Sequence, residues 1–320
     1  MYIAQTFNVL HEWWRYAIGF LLVFIAVIIG QLPFTVVVMV KALADGESFQ
    51  TLNEQTMLTI LEPNLNLFLM LLSFAAGLFG VILVAKYLHK QTLRHLTTSR
   101  PKIDWKRFWF AFIFWGIVSS GLVLLDYFMS PDDYVINFKL VPFLILCVIA
   151  IVMIPLQTSF EEYLFRGYLM QGLGVISKTK WLPLITTSFI FGMLHIANPE
   201  VEKLGPIIMV YYIGTGLFLG IMTLMDDGLE LALGFHAANN LFTALLVTAD
   251  WTAFQTHSIF KDMSNPEAAG VIDVFIPVFV MFPILLFIFA KKYKWTDWKG
   301  KLFGRVEEPP TEDYKIIGES

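Results

Sequence analysis

The sequence predicts an all-α membrane protein, a bundle of about eight transmembrane helices with both termini in the cytoplasm. Hydrophobic residues make up 57% of the 320-residue chain, and only 15% of its residues are charged. Soluble domains carry about 25% charged residues. Apolar stretches close to the ~17–25 residues that a helix needs to cross a bilayer recur along the whole chain. These observations exclude an ordinary soluble protein.

The apolar stretches divide the chain into three parts. Residues 1–15, with Trp13 and Trp14 among polar side chains, are expected to form an interfacial N-terminal helix. Residues 16–290 form the expected transmembrane domain, and residues 291–320 a polar cytoplasmic tail. The eight candidate spans are 16–41, 65–86, 108–126, 140–160 (its helix continuing to about 172), 181–197, 206–225, 229–249 and 271–290.

Basic residues between the second and third spans set the expected orientation. Lys and Arg concentrate in cytoplasmic loops, so this connection is placed inside the cell, and eight crossings then place both termini there. The seven residues are Lys86, Lys90, Arg94, Arg100, Lys102, Lys106 and Arg107. The connection between the sixth and seventh spans, with Asp226, Asp227 and Glu230, carries no positive charge of its own.

Net charge and cysteine content exclude several classes of function. The net charge of −4 argues against nucleic acid as a partner. The single cysteine, Cys147, excludes an intramolecular disulfide, a Cys-x-x-Cys redox pair and a Cys-rich zinc site. The expected location is therefore an integral, multi-pass one, in the inner (plasma) membrane if the source is bacterial.

A pair of carboxylates and an arginine lie near the inner end of the fourth span. A charged side chain near the middle of a span costs at least ~2.5–3.5 kcal/mol, so their presence needs a reason. Glu162 and Arg166 are four residues apart and can pair on a helix. The neighbouring Glu161, about 100° around that helix, is left to face elsewhere. The alternative is that both carboxylates simply end a helix at the membrane surface, but apolar residues continue beyond them.

Two further polar clusters follow in later spans. His195 lies late in the fifth span, four residues after Phe191, and His236 and Asn240 lie four apart in the seventh, on one helical face. Taken alone, each histidine is more often a core residue with its hydrogen bonds satisfied than a catalyst.

The three clusters together suit peptide hydrolysis by activated water. A carboxylate can take a proton from water, and an adjacent histidine can hold that water. A second histidine and an amide can donate to the oxyanion of a tetrahedral intermediate. The chain contains no Gly-x-Ser-x-Gly and no His-Glu-x-x-His, so neither a serine hydrolase elbow nor a zincin is indicated.

Three motifs in this order resemble a known family. Glu-Glu-x-x-x-Arg at 161–166, Phe-x-x-x-His at 191–195 and His-x-x-x-Asn at 236–240 are similar to the signatures of the CPBP intramembrane proteases. That family includes the type II CAAX prenyl endopeptidases and bacterial proteins linked to bacteriocin processing or immunity. The resemblance covers about residues 140–250, and residues 1–135 and 251–320 carry no motif that we can place.

The resemblance implies a role for each motif residue. Glu161 would be the base that activates water, with His195 as its partner, and His236 and Asn240 would stabilise the oxyanion. Glu162 and Arg166 would support the site. The cofactor stays open: Glu161, His195 and His236 could form a three-ligand Zn²⁺ site, and the same groups could activate water without a metal.

Two functions of other classes remain as alternatives. Buried Glu, His and Arg also serve transporters and proton relays, which would show repeated halves; the sequence shows no such repeat. A non-catalytic membrane scaffold or bacteriocin-immunity protein could keep the motifs and act through partners. For the protease, the expected partners are the lipid bilayer and a peptide or protein substrate reached from the membrane, whose identity and prenylation the sequence does not specify.

Overall fold

The computed structural model describes residues 1–46, 54–266 and 270–308 and shows an all-α membrane-type fold, as predicted. Fourteen α-helices and three short strands lie in these ranges. The helices are α1 (Trp13–Ala44), α2 (Glu54–Thr59), α3 (Pro63–Leu83), α4 (Leu93–Thr97), α5 (Trp105–Met129), α6 (Leu140–Glu162), α7 (Met170–Ser177), α8 (Trp181–Met193), α9 (Pro199–Leu204), α10 (Met209–Asp226), α11 (Glu230–Leu246), α12 (Val271–Ile276), α13 (Phe282–Tyr293) and α14 (Trp298–Phe303).

Six helices of the described chain are long and apolar enough to cross a membrane. They run over Trp13–Ala44, Pro63–Leu88, Trp105–Met129, Leu140–Ser177, Pro206–Asp226 and Val271–Tyr293. The other two predicted spans coincide with α8 and α11, which have 13 and 17 residues. At 1.5 Å per residue these reach about 20 and 26 Å, less than the ~30 Å hydrocarbon core. The count of eight crossings and the side of each terminus stay predictions.

The fourth predicted span is one continuous helical segment with a change of winding. After α6, residues Tyr163–Leu169 form a π-helix, and α7 then continues to Ser177. The widened turns begin directly after Glu162 and contain Arg166. Such π segments occur frequently at functional sites. Residues Phe160–Tyr168 are all buried, so this segment runs through the core of the bundle.

Two glycines let the helices around this segment approach closely. A Cβ on Gly216 of α10 would lie only 2.7 Å from the Ser188 carbonyl oxygen of α8. A Cβ on Gly234 of α11 would collide with the Phe108 carbonyl of α5. Small residues at helix contacts allow tight packing in membranes. The two glycines therefore allow α10 to pack closely against α8, and α11 against α5.

Basic residues from distant segments neutralise the acidic α10–α11 connection. Arg100 contacts Asp226 at 2.9 Å and Glu230 at 3.0 Å. Arg107 also pairs with Asp226, and Lys301 of α14 pairs with Asp227. The positive charge that this connection lacks in sequence is supplied from the loop before α5, from the first turn of α5 and from α14.

The N-terminal residues and the segment that carries α14 contact the bundle at this same side. Residues Ala4–Asn8 form a single 3-10 turn, and Tyr2, Ile3 and Phe7 are buried. The backbone N–H of Tyr2 donates to Asp227 at 3.0 Å. Within the predicted tail, Leu302 and Val306 are also buried, and residues 309–320 lie outside the described residues. Whether residues 1–15 lie at the membrane interface stays a prediction.

A small sheet that the sequence did not indicate covers the opposite side of the bundle. Its strands are β1 (Tyr134–Ile136), β2 (Val247–Thr248) and β3 (Phe260–Asp262), in the order β1-β3-β2. Strand β3 pairs antiparallel with β1, where Val135 faces Lys261, and parallel with β2, where Val247 faces Phe260. Because β2 directly follows α11, this sheet fixes the end of the helix that carries His236 and Asn240.

Candidate active site

The carboxylate pair and the arginine lie in the core of the bundle, where α6 passes into the π-helix. The side chains of Glu162 and Arg166 are fully buried, and Glu161 is 8% exposed. Arg166 donates from Nη1 to Glu162 Oε1 at 2.8 Å and from Nη2 to the Gly216 carbonyl at 3.1 Å. The Gly216 contact ties the guanidinium to α10. Glu162 therefore has a buried cation beside it, which offsets the cost of burying its charge.

His236 of α11 lies against both carboxylates. Its Nδ1 is 2.8 Å from Glu162 Oε1, and its Nε2 is 3.5 Å from Glu161 Oε2. Glu162 thus accepts from Arg166 and from His236 at the same oxygen. This contact assigns the proton on Nδ1, because the ionised carboxylate can only accept. The second nitrogen of the ring is then the one that faces Glu161.

The Nε2 atom of His236 faces the Glu161 carboxylate closely enough for one proton to lie between them. In a neutral ring protonated at Nδ1, Nε2 is an acceptor, and it would face a carboxylate oxygen that is also an acceptor. One added proton turns this repulsion into attraction. It also balances the charge of the buried group, in which Arg166 offsets only one of two carboxylates.

Asn240 reaches Glu161 through a residue that sequence reasoning missed. Its Nδ2 donates to Gln157 Oε1 at 3.1 Å, and Gln157 Nε2 donates to Glu161 Oε1 at 2.5 Å. Gln157 is 4% exposed and lies one helical turn before Glu161 on α6. The sequence signal that could have identified Gln157 is its spacing of four residues from Glu161, which places both side chains on one helical face.

His195 lies outside the hydrogen-bond network of this cluster. Helix α8 ends at Met193, inside the predicted span, and His195 lies in the turn that follows. Its Nδ1 is 2.8 Å from the Phe191 carbonyl, and its ring stacks on Tyr212 with centroids 4.4 Å apart. A carbonyl only accepts, so Nδ1 carries the proton and Nε2 remains a free acceptor. Among the contacts of the described residues, none joins His195 to Glu161.

Phe191 connects the two histidines. Its ring centroid is 4.9 Å from that of His195. Its centroid is 6.1 Å from that of His236, and these two rings are arranged edge-on. The guanidinium carbon of Arg166 lies 4.3 Å from the same ring. The aromatic residue of the second motif therefore packs between the turn that carries His195 and the buried charge cluster.

The arrangement does not fit a three-ligand metal site. Within residues 1–46, 54–266 and 270–308, no three His, Cys, Asp or Glu side chains are grouped closely enough to hold a metal ion. Of the set that the sequence indicated, Glu161 and His236 are together, but His195 is not. The Nδ1 of His236 is occupied by Glu162. The chemistry proposed below therefore contains no metal-dependent step.

Comparisons with known proteins agree with the motifs. Residues 138–242 match the family model described as type II CAAX prenyl endopeptidase Rce1-like. A protein of Bacillus subtilis (strain 168), named uncharacterized protein YyaK, is 28% identical over 236 residues, covering 73% of this chain and 78% of that protein. No solved structure matches. All three motifs lie inside the matched region, and the match confirms the resemblance of residues 138–242 to the Rce1-like family of endopeptidases.

Proposed function

We propose that this multi-pass membrane protein is an intramembrane endopeptidase that hydrolyses a peptide bond of a membrane-associated or membrane-tethered substrate. The observation that carries the proposal is the pairing of Glu161 with His236, whose other nitrogen is held by the buried Glu162. A carboxylate beside an imidazole in a buried site is equipped for general acid–base chemistry. The match to a family of endopeptidases supports the same reaction.

In the proposed reaction, Glu161 acts first as a base and then as an acid. Water attacks the carbonyl carbon of the scissile bond, and its proton passes to the carboxylate of Glu161. The resulting oxyanion accepts hydrogen bonds from Nδ2 of Asn240 and from protonated Nε2 of His236. Glu161 then returns the proton to the amide nitrogen as the C–N bond breaks, which regenerates the carboxylate.

The remaining motif residues hold these groups in place. Glu162 orients His236, and Arg166 balances the charge of Glu162. His195 is proposed to hold the attacking water from the side of α8, since its Nε2 is the unprotonated ring nitrogen. His195 thus keeps the role at the attacking water that the motifs imply. The imidazole in contact with Glu161 is that of His236.

The proposal is tested with purified protein in lipid vesicles and a peptide tethered to the same bilayer by a lipid or a hydrophobic anchor. Mass spectrometry in ¹⁸O-labelled water should show two fragments, with the label in the new carboxyl group of one. Prenylated and non-prenylated versions of the peptide establish the substrate class. Absence of any cleavage across both kinds of peptide would contradict the proposal.

A further inference from the structure

A continuous row of side-chain hydrogen bonds enters the candidate site from α5. The indole Nε1 of Trp115 donates to Asn239 Oδ1 at 3.0 Å, and Asn239 Nδ2 donates to Asn240 Oδ1 at 3.2 Å. Asn240 Nδ2 donates to Gln157 Oε1 at 3.1 Å, and Gln157 Nε2 donates to Glu161 Oε1 at 2.5 Å. We call these five residues the amide chain. It links α5, α11 and α6.

The direction of the amide chain is fixed at both ends. An indole N–H can only donate, and an ionised carboxylate can only accept. Each amide between them has one accepting oxygen and one donating nitrogen, so both ends are satisfied only when all three amides point the same way. Turning Asn240 over would place its oxygen against the oxygen of Gln157. The orientation of Asn240 therefore follows from the chemistry of Trp115 and Glu161.

This orientation determines what Asn240 offers to a substrate. Its amino group faces Gln157, and a primary amide nitrogen carries a second N–H that can donate elsewhere. In the reversed orientation the oxygen would face the oxyanion and repel it. The hydroxyl of Tyr211 also contacts Asn239, but a hydroxyl both donates and accepts and so permits either orientation. Trp115 and Glu161 therefore exclude the reversed orientation from opposite ends of the amide chain.

We propose that Gln157, Asn239 and Trp115 are positioning residues that hold Asn240 as a hydrogen-bond donor toward the oxyanion. This inference rests on the proposed function, because it assigns a task within that reaction. Gln157 has a second effect, since it donates to the carboxylate that activates water. Gln157 and Trp115 are 4% and 6% exposed, so water competes little for their hydrogen bonds.

The test begins with Trp115→Phe, which removes only the donor at the start of the amide chain. Phenylalanine keeps an aromatic ring against Phe235, on which Trp115 stacks with centroids 4.6 Å apart. We expect kcat to fall about threefold to tenfold at unchanged KM, the rate equivalent of one neutral hydrogen bond. In an Asn240→Ala background the same substitution should have no further effect on kcat. Equal effects of Trp115→Phe in both backgrounds would overturn the proposal.

A matched pair of glutamines on one helical segment separates positioning from packing. Gln157→Met removes both hydrogen bonds at nearly constant shape, and we expect it to lower kcat more than Trp115→Phe does. Gln171 is equally buried and hydrogen-bonded, to Gln91 and the His95 carbonyl, but lies outside the amide chain. Gln171→Met should leave kcat unchanged even where it lowers the melting temperature. Equal losses of kcat in the two variants would contradict positioning by Gln157.

Thermal melts keep this inference separate from the proposed function. If the native protein cleaves no peptide, the proposed function fails, and the amide chain is judged by stability alone. Melting shifts of Trp115→Phe and Gln157→Met should then be non-additive, because residues in one hydrogen-bond network are coupled. Strictly additive shifts would show that the two residues act independently and would overturn the amide chain.

Discussion

The Nδ1 atom of His236 lies 2.8 Å from Oε1 of Glu162, so the second carboxylate of the first motif holds the histidine of the third. The same oxygen accepts from Arg166. Glu162 is therefore a positioning residue shared by two partners, and Glu161 is left to face Nε2 of His236. Two adjacent carboxylates thus have different surroundings and different proposed tasks.

Replacing Glu162 should damage both stability and catalysis. Glu162→Gln removes the charge that balances Arg166 in a fully buried position, and such unpaired charges cost about 3–5 kcal/mol. It also replaces the charged acceptor that orients His236 by a weaker, neutral one, so kcat should fall. The measurements are denaturant unfolding and peptide cleavage.

A double variant distinguishes these two effects of Glu162. Glu162→Gln combined with Arg166→Met removes the buried charge from both partners, so stability should recover substantially while kcat stays low. Recovery of kcat together with stability would show that Glu162 acts only through the stability of the fold.

Asn240→Ala should slow cleavage without unfolding the protein. Loss of one oxyanion donor costs about 10²–10³ in kcat elsewhere, and Asn240 is only half-buried. The affinity for substrate should change little, because the donor acts mainly in the transition state. Steady-state kinetics measure the effects on kcat and KM separately. A rise in KM at constant kcat would assign Asn240 to substrate binding instead.

Chelation tests whether a metal takes part. Because the described residues do not gather Glu161, His195 and His236 as a three-ligand site, we expect 1,10-phenanthroline to leave the rate of cleavage unchanged. The non-chelating isomer 1,7-phenanthroline controls for nonspecific inhibition. Loss of activity with the chelator alone, restored by added Zn²⁺, would show that substrate or metal draws the three groups together.

His89 should make the protein less stable in acid. Burial lowers the pKa of this histidine from 6.5 to about 4, while its ring contacts the Leu10 carbonyl and the Tyr168 hydroxyl. The folded state therefore binds fewer protons than the unfolded state between these values. Stability is fully present above pH ~6.5 and falls by about 3 kcal/mol toward pH ~4.

The contribution of His89 is isolated by comparison with a variant that does not titrate. His89→Gln retains hydrogen-bonding groups and should show a shallower loss of melting temperature between pH 7 and pH 4.5. Parallel pH dependence in the two proteins would mean that His89 is protonated as easily in the folded state as in the unfolded one.

The sequence predicted the helical membrane fold and the resemblance to a family because both depend on patterns within single helices. The length of an apolar stretch predicts a membrane span. The four-residue spacing of Glu162 and Arg166 predicts an ion pair, which the structure contains. Patterns within one helix do not predict which side chains of different helices contact each other. Gln157 is one of several neutral polar residues near the end of α6, and its link to Asn240 depends on how α6 and α11 pack.

The position of His195 shows a second limit of sequence patterns. Leu194 and Ile196 continue the apolar stretch, so composition extends the fifth span beyond the point where α8 ends. Pro199 keeps the residue before it out of helical backbone angles, so a regular helix is disfavoured from running on through Asn198. Asn198 accordingly has extended angles, with φ −65° and ψ 144°. The turn between Met193 and Asn198 separates His195 from the helix that the pattern indicated.

The rate of peptide cleavage by Glu161→Gln tests the central claim most directly. Glutamine keeps the shape of the side chain but cannot take the proton from water, so kcat should fall at least about 10²–10⁴-fold with the melting temperature nearly unchanged. Glu230→Gln is the matched control, since Glu230 is also a buried carboxylate but pairs with Arg100 outside the site. The account predicts cleavage by the native protein and by Glu230→Gln, and almost none by Glu161→Gln. Full activity in Glu161→Gln would contradict it.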